Sequence, residues 1–168
     1  MLKRAHDVKV KQQKLFIGLF VFSTFLSFID LFSFIKINIY PEYFIALMVL
    51  TISSNLISMT IIKVFLIGFI VDILIGSILG QYTLTFLFLY GLQVFYQKYF
   101  LMPSKAQSIL LRFMSVSLSI LVINIISQNF DSDYYSNGSL LNSLLIQIVC
   151  TFFVLIIFQI FYEKTYST

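Results

Sequence analysis

Apolar runs of roughly twenty residues, separated by short polar breaks, set the pattern of this chain, and an α-helix needs about that length to cross some 30 Å of hydrocarbon. The first run covers residues 15–35 and follows a basic stretch at residues 1–14. Residues 36–40 lead into Pro41, which suits the first turn of a second helix ending near Thr60. A very short turn separates it from a third run, residues 64–75 with Ile61 and Ile62 as an extension, which Gly76 and Gly80 then interrupt. That interruption predicts a span that is short and tilted or broken. The fourth run covers residues 82–96 and the fifth residues 109–126, with the polar stretch 97–107 and its Pro103 between them. Residues 128–138 are acidic and polar, a surface loop, and the last run covers residues 140–161. A membrane barrel would show short alternating segments in place of these continuous runs. The pattern predicts an all-α polytopic membrane protein of about six transmembrane helices. Its parts are a basic amino terminus (1–14), a single six-helix transmembrane domain (15–162) and a short tail (163–168).

Charge orients this arrangement. Lys3, Arg4, Lys9, Lys11 and Lys14 precede the first span, Lys63 follows the second, Lys98, Lys105 and Arg112 surround the fourth connection, and Lys164 follows the sixth. With six spans all of these share one side, while Lys36, Glu42, Asp131 and Asp133 share the other. Basic residues collect in the cytoplasm, so both termini are predicted to be cytoplasmic. A different span count would scatter the later cations over both faces. The first apolar stretch is too long for a signal-peptide core and lacks a small-residue cleavage site, so it reads as an uncleaved signal anchor.

Composition agrees: 60% of the 168 residues are hydrophobic and 11% charged, too little polar surface to cover a soluble core of this size. The net charge of +4 does not point to nucleic acid, because the cations sit at membrane edges and form no basic stripe. Cys150 and His6 are each the only residue of their type, which leaves no disulfide and no thiolate metal site to build. Hydrolysis or group transfer needs clustered carboxylates, a nucleophile with its base, or metal ligands. The spans offer one central acid and no histidine, so neither an enzyme nor a cofactor is expected.

That acid is Asp72, within Gly68-Phe-Ile-Val-Asp72-Ile-Leu-Ile-Gly76-Ser77-Ile-Leu-Gly80, about halfway along a crossing that begins near Ile61. A carboxylate there costs about 2.5 to 3.5 kcal/mol on insertion scales. No Lys or Arg lies at matching depth, so a hydrogen-bonded or protonated carboxyl is expected, with Gln93, Asn124 and Gln147 as candidate partners. On that reading Asp72→Asn would fold nearly normally. Gly68, Asp72, Gly76 and Gly80 recur every four residues along one helix face, which with Ser77 predicts a helix-packing or partner-docking surface. Packing within the bundle, proton coupling or ligand contact through Asp72, and docking of a partner helix all remain open. Asp30 reads as a headgroup-level acid near the outer end of the first span. Asn55 and Gln159 read as polar ties between helices, and Tyr40, Tyr43, Tyr82, Tyr96, Tyr99 and Tyr162 as interfacial anchors.

The segment from Gly68 through Gly80-Gln81-Tyr82-Thr83-Leu84 resembles the rod shape-determining MreD family, in which a glycine, an aspartate four residues on, a glycine-serine pair and a further glycine occupy corresponding places. Pro41 followed by the acidic Glu42 is a second likeness. The fifth and sixth spans agree in hydropathy alone, and the high Phe and Tyr content departs from typical members. The resemblance implies a non-enzymatic inner-membrane scaffold of the peptidoglycan-elongation machinery, the elongasome. It would bind MreC and, through it, be linked to MreB and to the RodA polymerase with its transpeptidase. The family's fold is similar to the substrate-binding subunits of energy-coupling-factor vitamin transporters, so a small-molecule transport subunit with an outward-opening pocket is the alternative.

Overall fold

A computed structural model describes residues 2–28, 41–54, 59–75, 78–99, 105–130 and 140–166. Among them six helices follow in order: α1 (Leu2–Phe28), α2 (Tyr43–Ser53), α3 (Ile61–Ile75), α4 (Gln81–Tyr99), α5 (Lys105–Phe130) and α6 (Leu140–Tyr166). Each coincides with one of the apolar runs, but the boundaries differ from those hydropathy suggests. Helix α1 continues back through the basic stretch to Leu2, and α6 runs on to Tyr166, because Lys, Gln and Glu are good helix formers and extend a helix past its apolar part. Gly76 and Ser77 of the expected packing surface lie outside the described residues, as do Asp30, Lys36, Tyr40, Asn55, Asp131 and Asp133.

The second helix departs most from expectation. Among its described residues Tyr43–Ser53 are helical, and Pro41 stands ahead of the N-cap residue Glu42 instead of in the first turn. Eleven residues at 1.5 Å each give roughly 16 Å, about half a bilayer core. Every residue from Tyr43 to Ile52 is buried, as befits a helix that is apolar on all sides. Helix α2 is thus the central post of the bundle, with α1, α4, α5 and α6 packed around it. Edge-on ring contacts tie it in: Phe44 meets Phe20 of α1 at 5.5 Å between ring centres and Tyr82 of α4 at 6.4 Å. Tyr43 and Tyr82 are therefore core residues and not interfacial anchors.

Among the described residues two helices are long and apolar enough to cross a membrane, Gln107–Ser127 within α5 and Ser143–Lys164 within α6. Only 33% and 17% of their most apolar stretches are buried, so their hydrophobic surface faces outward, unlike that of a soluble core helix. Helix α3 packs chiefly on α4, and its other face, with Phe65, Leu66, Phe69, Ile70 and Ile73, is exposed.

Candidate functional site

The close approach of α3 and α4 begins at a glycine. A Cβ on Gly68 would stand 2.5 Å from the Cα of Thr83, so only glycine lets the two backbones meet there. One turn further along the same face of α3 lies Asp72, and the contact at Gly68 brings its carboxyl to the start of α4. The first turn of any helix has backbone N–H groups without intrahelical partners, which an N-cap side chain ordinarily accepts. Here the residue just ahead of α4 is Gly80, which has no side chain and a φ of +99° that glycine alone adopts without strain.

Asp72 supplies the missing cap from the neighbouring helix. Its Oδ2 accepts hydrogen bonds from the Gly80 N–H (3.0 Å), the Thr83 N–H (3.2 Å) and the Thr83 hydroxyl (2.6 Å). Its Oδ1 accepts from the Tyr82 N–H at 2.7 Å. The positive end of the α4 dipole faces the same carboxyl. The compensation expected for a buried acid is supplied by a helix N-terminus; of the expected partners, Asn124 donates to Gln147 and Gln147 to Glu42. Asp72 does not sit mid-helix, since α3 ends three residues later at Ile75. Gly80 belongs to the turn before α4 and not to a continuous face with Gly68, because the four-residue spacing runs past the helix end.

Tyr82 joins this cap to a second, half-buried acid. Its hydroxyl donates to Glu42 Oε2 at 2.6 Å, and Gln147 Nε2 donates to Glu42 Oε1 at 3.1 Å. Asn124 Nδ2 in turn donates to Gln147 Oε1 at 3.2 Å. Asn124, Gln147, Glu42, Tyr82 and Asp72 thus form one hydrogen-bonded chain through α5, α6, the start of α2, α4 and α3. Two side bonds reinforce it: the Glu42 N–H donates to the Thr151 hydroxyl at 2.9 Å, and Gln81 Nε2 to the Ser127 hydroxyl at 2.6 Å. Glu42 is the member that sequence reasoning missed as a site, although its place at the head of an almost wholly apolar segment was the available signal.

All of these bonds lie at one end of the bundle, where α2, α4 and α6 begin and α5 ends. Lys63, Lys98, Arg112 and Lys164 lie toward the opposite end of their helices, as does a cavity of about 240 Å³ between α2, α4 and α5. No group of three or more metal-ligating side chains occurs among the described residues. Lipid offers no hydrophobic drive for helices to associate, so contact packing and interhelical hydrogen bonds hold such a bundle together, the latter about 0.6 kcal/mol each on average. Chemically, the arrangement suits positioning: Asp72 caps the start of α4, and Glu42 accepts side-chain bonds from α4 and α6.

A family model described as rod shape-determining protein MreD matches residues 9–165, nearly the whole chain. No curated protein and no solved structure matches.

Proposed function

This chain belongs to the rod shape-determining protein MreD family, and from that premise we propose that it is a non-enzymatic scaffold of the cell-elongation complex in the bacterial cytoplasmic membrane. The family is one of membrane proteins that act in rod shape determination. The finer reading is that the chain crosses the membrane six times with both termini cytoplasmic, as one domain over residues 15–162. In that setting it binds MreC, and through MreC it is linked to MreB and to RodA with its transpeptidase. The placement of Lys63, Lys98, Arg112 and Lys164 toward one end, opposite the Asp72 and Glu42 network, supports that topology.

The observation that carries the scaffold reading is how the buried Asp72 and the half-buried Glu42 are used. Asp72 and Glu42 accept bonds from neighbouring helices, which makes them fasteners of a fixed framework. Gly68 and Asp72 face α4, so in the proposed complex the docking surface is the other face of α3, where Phe69 and Ile70 are exposed. The transport alternative calls for an outward-opening pocket, whereas the 240 Å³ cavity lies toward the basic end.

Depletion tests the two readings together: rounding of rod cells supports the scaffold, and a vitamin requirement without change of shape supports transport. A photo-crosslinking residue in place of Ile70 should capture MreC, and one in place of Ile156 on α6 should not. Undiminished co-purification of MreC with no capture from α3 would remove this docking face.

A further inference from the structure

The cavity between α2, α4 and α5 has no role in the network and has a lining of its own. Its floor is apolar, and its walls carry Gln93, Gln97, Ser108 and Ser115 beside the guanidinium of Arg112. One arm of that guanidinium is committed, since Nη1 donates to the Gln159 amide oxygen. Glu163, an acid whose charge acts on Arg112, accepts from the Gln159 Nε2 at 2.8 Å. The Nε–H of Arg112 is buried and has no hydrogen-bond partner, and a buried donor of that kind costs free energy until something accepts from it.

Charge and shape narrow what the cavity holds. A guanidinium offers a planar fork of donors that matches phosphate oxygens, and hydroxyl and amide donors around it complete such a site. The volume is below the roughly 300–1,000 Å³ of pockets that enclose drug-sized molecules, so it suits a small anionic group. The helix surfaces bordering it are apolar and exposed, with Val94 and Phe95 on α4 and Ile109 and Leu110 on α5. Basic pockets between helices on the cytoplasmic side are where anionic headgroups bind.

We infer that the Arg112 cavity is a binding site for a phosphate-bearing anion, supplied by the headgroup of an anionic phospholipid whose chains lie along the apolar surfaces of α4 and α5. The phosphate accepts from the guanidinium of Arg112, which lines the cavity, and from the wall donors, and the chains remain in lipid. The same chemistry in solution would be a free phosphate, which the test separates.

Purified full-length protein in detergent is offered phosphatidylglycerol or phosphatidylcholine and examined by native mass spectrometry, with inorganic phosphate binding measured in parallel by calorimetry. The expected result is preferential retention of phosphatidylglycerol that falls about tenfold in Arg112→Gln, the loss of one charge-assisted contact. Arg112→Lys, which keeps the charge but not the fork, should retain part of it. Ser108→Trp fills the cavity while leaving the Arg112 and Gln159 bond in place, and should abolish the preference even if Arg112→Gln folds poorly. Lys63→Gln, at an exposed cation outside the cavity, should change nothing. Inorganic phosphate binding that depends on Arg112, without lipid preference, would support the phosphate site and assign it to a soluble anion. Equal retention of both lipids with no phosphate binding, or a preference that survives both Arg112→Gln and Ser108→Trp, would overturn the proposal.

Discussion

Asp72 shows how the first turn of a neighbouring helix can stabilise a buried acid. Four donors reach its two oxygens, three of them backbone N–H groups of the α4 start that would otherwise lack partners. The sequence-based expectation that Asp72→Asn folds nearly normally does not survive this geometry. An amide keeping its oxygen at the Oδ2 position turns its NH2 toward the Tyr82 N–H, donor against donor. We predict a loss of about 1–3 kcal/mol for that orphaned donor, read as a lower melting temperature in detergent; an unchanged melting temperature would refute the capping role. Glu42 and Tyr82 belong to the same chain. Glu42→Gln and Tyr82→Phe should each destabilise, and the double variant should cost less than their sum by about 0.5 kcal/mol or more. Strict additivity in that cycle would mean that the 2.6 Å bond carries no coupling.

At the scale of elements, α3 and α4 work as one hairpin whose two glycines have different jobs. Gly68 provides room, and Gly80 provides a backbone conformation. Gly68→Ala should force the helices apart at Thr83 and weaken the cap that depends on their contact. Gly91, further along α4, has open space where a Cβ would go, and Gly91→Ala should stabilise by about 0.5–1 kcal/mol through helix propensity alone. Comparing the two melting temperatures separates close approach from propensity, and equal shifts would dismiss the close-approach argument. Helix α2 teaches a related lesson about length. Hydropathy extends the run to Thr60, yet the helix itself is 11 residues long, because hydropathy measures polarity and not where a helix stops.

At the scale of the molecule the bundle has two unlike ends. One is closed by the polar chain from Asn124 to Asp72, and the other carries the cations and the Arg112 cavity. For the proposed topology, Leu2→Cys and Tyr166→Cys in a Cys150→Ser background should both resist a membrane-impermeant maleimide in spheroplasts and react after permeabilisation. Modification of either one in intact spheroplasts would break the shared-side arrangement.

The amino-acid sequence by itself determined the helical class, the outward apolar surface and the presence of an acid whose burial needed an explanation. These are sums over consecutive residues, and hydropathy and helix propensity act at that range. The likeness around Gly68 to Leu84 was legible for the same reason, as a local string that the family match then bore out. Which groups satisfy Asp72, that Glu42 is a junction of helices, and which face of α3 is left exposed were decided by tertiary structure. Those outcomes depend on partners 8 to 109 positions apart, brought together only when the bundle has packed.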